Sequence, residues 1–259
     1  APTRWQIAVG KLAIEHSDVK LHMPGDTLRI GANIEQLKAE RGHFDMLRGT
    51  YRLDLLRWQG GTLAYDDRYA KPVAAGFDFN HIALSDIQLR LDSLLYGDGS
   101  LAVHLRQCAM KERCGLTLKE LSGRLKLDTT HISLPDLRMR TPKSMLTARV
   151  DMDFSTFAQK NPGKMQVDLK GYVVKSDFAP LLSALPPALL RSMPDTPITL
   201  NADVDGNMRA LNIRQLAVTY PTVFALKAHG KAQNLMSVDR LRANITADAH
   251  AYNLNFVKT

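Results

Sequence analysis

The chain is predicted to be mainly β: an elongated, curved, antiparallel and repetitive β-sheet that forms an open apolar groove, with one short interrupted helix near residues 177–193. Apolar and polar residues alternate with period two along nearly every segment, and a strand sends successive side chains to opposite faces. Polar turns interrupt the alternation about every 8–12 residues, the spacing of successive short strands. The single departure runs from Asp177 to Met193, where leucines recur at helical spacing.

Taken in order, Trp5, Ile7 and Val9 alternate, then Leu12 and Ile14, before a polar break at His16-Ser17-Asp18. Leu28, Ile30, Ala32 and Ile34 form the next run, followed by Tyr51, Leu53 and Leu55. Trp58 to Tyr65, WQGGTLAY, reads as a turn and a further strand, which closes a β-rich segment over residues 1–65. Residues 66–76, DDRYAKPVAAG, are aperiodic and read as a connecting loop. From 77 to 259 the repetitive sheet resumes: Phe77, Phe79, Ile82 and Leu84 first, then Leu101, Val103 and Leu105 after a Gly97-Asp98-Gly99 turn.

The stretch LSGRLKLDTTHISLPDLRMRTPKSMLTARVDMDF, residues 121–154, carries the clearest one-sided pattern. Leu125 and Leu127, Ile132 and Leu134, Leu137 and Met139, then Leu146, Val150 and Met152 are its apolar positions, and they are the candidate lining of the groove. In the helical stretch, Asp177 can cap the N-terminus and Pro186-Pro187 must break or restart the helix. Phe178, Leu181, Leu182 and Leu185 make a stripe too short to span a bilayer, expected to pack on one end of the sheet as a plug.

A closed sandwich or barrel would also bury these leucines and isoleucines against a second layer. Aromatic residues are only 7% of the chain, and the long aliphatic series shows no Greek-key signposts. The face therefore reads as open, a liability in water unless it carries something apolar.

The formal charge of +8 favours anionic partners such as phospholipid head groups. The basic residues stand singly on the polar side of the strands, as Arg124, Lys126, Arg138, Arg140 and Arg149 do. Without a Lys/Arg run or an aromatic stacking motif, no nucleic-acid partner is expected. No run of 18 apolar residues offers a membrane-spanning helix, and the opening Ala-Pro-Thr-Arg, without an initiator Met, reads as a trimmed fragment.

Cys108 and Cys114, in QCAMKERCG, are a disulfide candidate, expected to be joined or within bonding distance across a tight loop in an oxidised preparation. The alternative is two unpaired thiols on neighbouring strands. The eight histidines are scattered beside turns or on the polar face and read as solvated. Asp151 and Asp153 share a strand face and could share a proton, but their alternation with Val150 and Met152 turns them to water. No nucleophile elbow, phosphate loop or zinc motif occurs. The chain is expected to be no enzyme, with no metal and no cofactor.

Two segments resemble the periplasmic part of the TamB proteins of the AsmA-like superfamily. The first is CGLTLKEL from Cys114, followed by LKLDTTHISLPDLRMRTPKSMLTARVDMDF. It is similar to a Ser-Gly-hydrophobic turn leading into I-x-L-x-x-L-x-φ-x-T-x-x-S-x-L, with Thr141, Ser144 and Leu146 on the last element and Cys114 where Ser is expected. The second is DFAPLLSALPPALLRSMPDTPITLNADVDGNMRALNIRQL, similar to that superfamily's helix, strand and D-G-x-φ-x-x-L-x-φ-x-x-L element. Together they cover about residues 77–220, and the first 65 residues fit through alternation alone.

The resemblance implies a periplasmic protein, anchored in the inner membrane by a segment upstream of Ala1, that moves phospholipids toward the outer membrane. It also implies a TamA-type outer-membrane barrel partner, met through a C-terminal domain outside this sequence. Two functions follow as expectations: a lipid conduit with acyl chains lying along the groove, or a scaffold whose strand edges assist assembly of outer-membrane barrel proteins.

Overall fold

A computed structural model describes residues 5–22, 28–158, 160–183 and 185–253. Residues 1–4 and 254–259, the outer ends of the expected segments 1–65 and 77–259, lie outside the described residues. Among the described residues thirteen antiparallel strands form one sheet in sequence order, and the sheet does not close into a barrel. Mainly β architecture is thus the observed one.

The first four strands are long: β1 (Gln6–His22), β2 (Leu28–Asp45), β3 (Thr50–Asp67) and β4 (His81–Gly97). Then come β5 (Ser100–Glu112), β6 (Thr117–Leu127), β7 (His131–Arg140), β8 (Met145–Asp153) and β9 (Met165–Val173). The helical stretch follows, and after it β10 (Ile198–Gly206), β11 (Ala210–Tyr220), β12 (Phe224–Gln233) and β13 (Arg242–Ala251). The chain divides into two compact units, one essentially residues 1–122 and the other essentially 123–259, with 140–142 and 177–185 belonging to the first.

In the first unit, several polar interruptions expected as turns lie inside unbroken strands. His16-Ser17-Asp18 lies within β1 and Gly60-Gly61 within β3. The β1–β2 ladder skips Gly10/Arg41 and His16/Glu35, and the β2–β3 ladder skips Arg41/Asp54 and Glu35/Gly60. The skipped positions form two lines across the strands. At each line the alternation changes phase, so the apolar side of β2 runs Ile30, Ala32, Ile34, then Leu37, Ala39, then Gly42, Phe44. One residue is passed over on each strand at the same line, so the register is unchanged while both pleats turn over together, which keeps the oily face on one side. His16 and Arg41 adopt φ of 47° and 52°, and Gly61 one of +95° with the Asn33 carbonyl oxygen where a Cβ would sit, 2.0 Å away.

Strand β4 begins at His81, so Phe77 and Phe79, expected to open it, lie in the loop, and Phe79 is exposed. Asp78 organises that loop by accepting from the Val73 and Asn80 amides, at 3.0 Å each, and from His81 Nδ1 at 2.9 Å.

Few apolar side chains are fully buried. Ile34 and Ile87 are buried beside Gly60-Gly61, and Ala39 and Leu91 lie on the row that passes through Leu56. In the second unit Val174, Tyr220, Val223 and Ala232 are buried.

The expected helix is present in pieces: α1 (Lys175–Phe178), a 3-10 turn at Ala179–Leu182, and α2 (Pro187–Ser192). Prolines 180, 186 and 187 prevent a longer helix by removing amide donors. Asp177 is not the N-cap. It is buried inside α1 and accepts from Thr141 Oγ1 at 2.5 Å. The plug expectation is corrected too: Phe178 and Leu182 are half-buried, whereas Leu181 and Leu185 are 45% and 37% exposed. A four-residue helix followed by a 3-10 turn cannot hold an i, i+3, i+4 stripe on one side. Residues 177–185 are held in the first unit by the Phe77 amide, which donates to the Pro180 carbonyl at 3.0 Å.

Candidate functional site: an open apolar face

The second unit carries an uninterrupted apolar surface, built by register. Along β8 the residues facing one way are Leu146, Ala148, Val150 and Met152, and they stand opposite Gly171, Leu169, Val167 and Met165 of β9. The same residues of β9 oppose Leu200, Ala202, Val204 and Gly206 of β10. Between Ile213 and Leu216 the β10–β11 register shifts by one, which restores the phase and brings Ile213 opposite Val204 and Leu216 opposite Ala202.

Each rung then continues to the edge. One runs Val150, Val167, Val204, Ile213, Gly230, Ile245, and the next Ala148, Leu169, Ala202, Leu216, Ala228, Ala247. Every member is aliphatic or glycine. At about 4.8 Å between strands, six strands make a path roughly 24 Å wide.

All the sequence-identified lining residues lie on these strands or the two before them. Leu125 and Leu127 are on β6; Ile132, Leu134, Leu137 and Met139 on β7; Leu146, Val150 and Met152 on β8. Every one is half-buried, while Arg124, Lys126, Arg138, Thr147, Arg149 and Asp151, which alternate with them, are exposed. Intermediate exposure means that these side chains touch their neighbours without being fully covered. Pro135-Asp136 lies inside β7, and Asp136 accepts from the Arg124 amide and Nε at 2.8 and 2.9 Å.

Glycines let the strands lie close beneath this face. Gly171 has φ of +153°, and a Cβ there would sit 2.1 Å from the Met145 carbonyl oxygen. Gly206 and Gly230, at +119° and +139°, would meet the Ala210 and Asn244 carbonyl oxygens at 2.1 and 2.2 Å. Such φ values belong to glycine, so the three residues are built into the rungs they occupy.

The other side is polar and internally paired. Arg214 bridges Asp203 and Asp205 at 2.6 and 2.8 Å, and its hydrogen bond holds the Asp203 carboxyl below the usual range. His131, expected to be solvated, is instead held between two carboxylates: Nδ1 lies 2.8 Å from Asp153 and Nε2 lies 3.4 Å from Asp151. The bond to Asp153 pushes the imidazole pKa up, while the Lys164 amide, donating at 2.8 Å, together with His131 pulls the Asp153 carboxyl down. The clamp ties the start of β7 to the end of β8. Among the described residues no cluster of His, Cys, Asp and Glu could hold a metal ion.

The disulfide expectation is corrected. Cys108 and Cys114 are both free. Strand β5 stays extended to Glu112, and at about 3.3 Å per residue four residues of strand alone separate Cys108 from Glu112 by about 13 Å, well beyond disulfide reach. The turn lies after Glu112, where Cys114 donates its amide to Glu112 Oε2 at 2.6 Å. Burial raises the pKa of both thiols.

Compared with protein families, curated proteins and solved structures, the chain matches none. The face must therefore be read from its own chemistry. What sequence reasoning missed is its extent: β9 to β12 alternate as plainly as β8, but only the strand register shows that their apolar residues continue the same rungs. No described helix is long and apolar enough to cross a membrane.

Proposed function

We propose that this protein carries phospholipid acyl chains on the open apolar face of its sheet, with the head groups left in water, in the manner of a TamB-like lipid conduit between inner and outer membranes. The observation that carries the reading is the unbroken aliphatic rungs of β8 to β13, whose members on β8 to β11 are half-buried and have no covering layer. Each methylene transferred from water contributes about 0.8 kcal/mol, so an acyl chain gains a useful grip only where several rungs lie end to end. A single charge in the path costs more than its own contact, because it interrupts the series. The resemblance of residues 77–220 to the TamB proteins supports a periplasmic setting and a TamA-type barrel partner.

The test uses folded protein, vesicles containing a photoreactive phospholipid, and the variants Leu134→Asp and Leu127→Asp beside a polar-face control, Lys170→Asp. The reading expects labelling to fall several-fold in the first two and to persist in the control, with a parallel loss of outer-membrane complementation. Folded Leu134→Asp that keeps both would overturn it. The scaffold reading expects barrel-protein assembly to survive when lipid labelling does not.

A further inference from the structure

At one end of the second unit's sheet, two strand connections are stitched together. β10 and β11 are joined by a tight hairpin, in which the Asn207 amide donates to the Ala210 carbonyl at 3.0 Å and the Ala210 amide donates back at 3.1 Å. Asn207 Oδ1 also accepts from the Arg209 amide at 2.9 Å, which fixes the tip that carries Met208 and Arg209. The chain leaving β12 pairs with this tip: the Leu235 amide donates to the Met208 carbonyl at 2.9 Å and the Asn234 amide to the Arg209 carbonyl at 3.1 Å. Asn234, with φ of 57°, turns the chain, and its Nδ2 donates to the Arg240 carbonyl at 3.1 Å. One asparagine thus holds the backbones of Arg209 and Arg240 with its two nitrogens.

Both arginines line one cleft of 490 Å³, together with Asn234, Ser237, Met208 and Met236, and no carboxylate lines it. Elsewhere in this unit Arg124 pairs with Asp136, and Arg214 with Asp203 and Asp205. Among the described residues neither Arg209 nor Arg240 has an ion pair, and Asp239, beside Arg240 in sequence, makes none with either. The cleft lies where the apolar face stops. Its last rung runs Met152, Met165, Gly206, Leu211, Ala232, Ala243. Met208 follows Gly206 by two residues and Asn234 follows Ala232 by two, which puts the cleft within about 7 Å of that rung. We propose that Arg209 and Arg240 bind a phosphate ester, and that a phospholipid head group at the rim of the apolar face is its source. Guanidinium forks match phosphate oxygens bidentately, and two of them in a cleft free of carboxylates leave the anion without a competitor. The Ser237 hydroxyl adds a neutral donor, while Met208 and Met236 offer the glycerol side of such a lipid an apolar wall. The phosphate site stands on the cleft itself; only its lipid source rests on the conduit reading.

The test has a soluble arm and a bilayer arm, both at low ionic strength, where screening is weak. Glycerol 3-phosphate is titrated calorimetrically into the full chain, and the chain is cosedimented with vesicles of phosphatidylglycerol and phosphatidylcholine. Arg209→Gln and Arg240→Gln, checked for folding by circular dichroism, should each weaken binding about tenfold, the worth of one charge-assisted hydrogen bond. Arg191→Gln removes the same charge from an exposed position on α2 and should change binding by less than about twofold. If the two cleft variants bind no more weakly than Arg191→Gln in both arms, or the unmodified chain binds neither probe, the site is overturned. Loss of vesicle binding in the cleft variants supports the head group as source. Loss confined to glycerol 3-phosphate, with vesicle binding unchanged, overturns that source and leaves a site for a soluble phosphate ester. Leu134→Asp leaves the cleft intact and should bind glycerol 3-phosphate like the unmodified chain whether or not its lipid labelling falls, so failure of the conduit and failure of this site are read separately.

Discussion

Leu169 and Val223 test whether the apolar face is open. Leu169 lies at the middle of β9, with Ala148 and Ala202 opposite it on the two neighbouring strands and Val167 and Gly171 beside it on its own face. It is half-buried. Replacing it by Asp forfeits about half the burial of a leucine, about 1 kcal/mol, and puts a poor strand former in its place at a cost of up to about 1 kcal/mol. The carboxylate keeps its water, because the facing alanines are short and no layer lies above. The expected loss is about 2 kcal/mol, a fall of roughly 1 M in the urea midpoint at an ordinary m-value. Val223, by contrast, is 2% exposed. An aspartate there is buried without a partner, and the loss should reach about 4 kcal/mol or more. Urea titration of both variants by far-UV circular dichroism separates the cases. If Leu169→Asp proves as damaging as Val223→Asp, the face is covered and the open-face reading fails.

Gly171→Ala should cost about 2–4 kcal/mol, through a φ that alanine avoids and a clash with the Met145 carbonyl; an unchanged thermal midpoint would refute it. The His131 clamp should make stability depend on pH. Its folded pKa is raised, so the contribution is fully present below the unfolded value of about 6.5 and is lost as pH rises through the folded pKa. Asp153 works in the opposite sense, its contribution disappearing only as strong acid protonates it. His131→Gln should therefore flatten the stability profile above about pH 6.5, where the wild-type contribution is being lost, and an identical profile would count against the clamp. Denatured, unreduced protein should titrate two thiols, Cys108 and Cys114, and in the folded protein both should react more slowly at neutral pH than free cysteine, because burial disfavours the thiolate.

The strand character of the chain, the place where helix interrupts it, and the one-sidedness of β6 to β8 are all legible in the sequence. These are local properties: period-two alternation fixes which side chains share a face, and leucines at helical spacing mark the exception. Sequence could not tell a turn from an interruption inside a strand. His16-Ser17-Asp18, Gly60-Gly61 and Pro135-Asp136 carry the composition of turns, yet each lies inside a strand, and in β1 and β3 the pairing on either side of the interruption keeps the chain extended. Helical spacing likewise marked Phe178, Leu181, Leu182 and Leu185, but prolines broke the helix and left Leu181 and Leu185 in solvent. The cysteine pair looked close only as a count of residues, and an extended strand holds it apart. The continuity of the apolar face rests on tertiary structure for the same reason: a rung is made of residues distant in sequence, and only the register of six strands brings Val150, Val167, Val204, Ile213, Gly230 and Ile245 into one line.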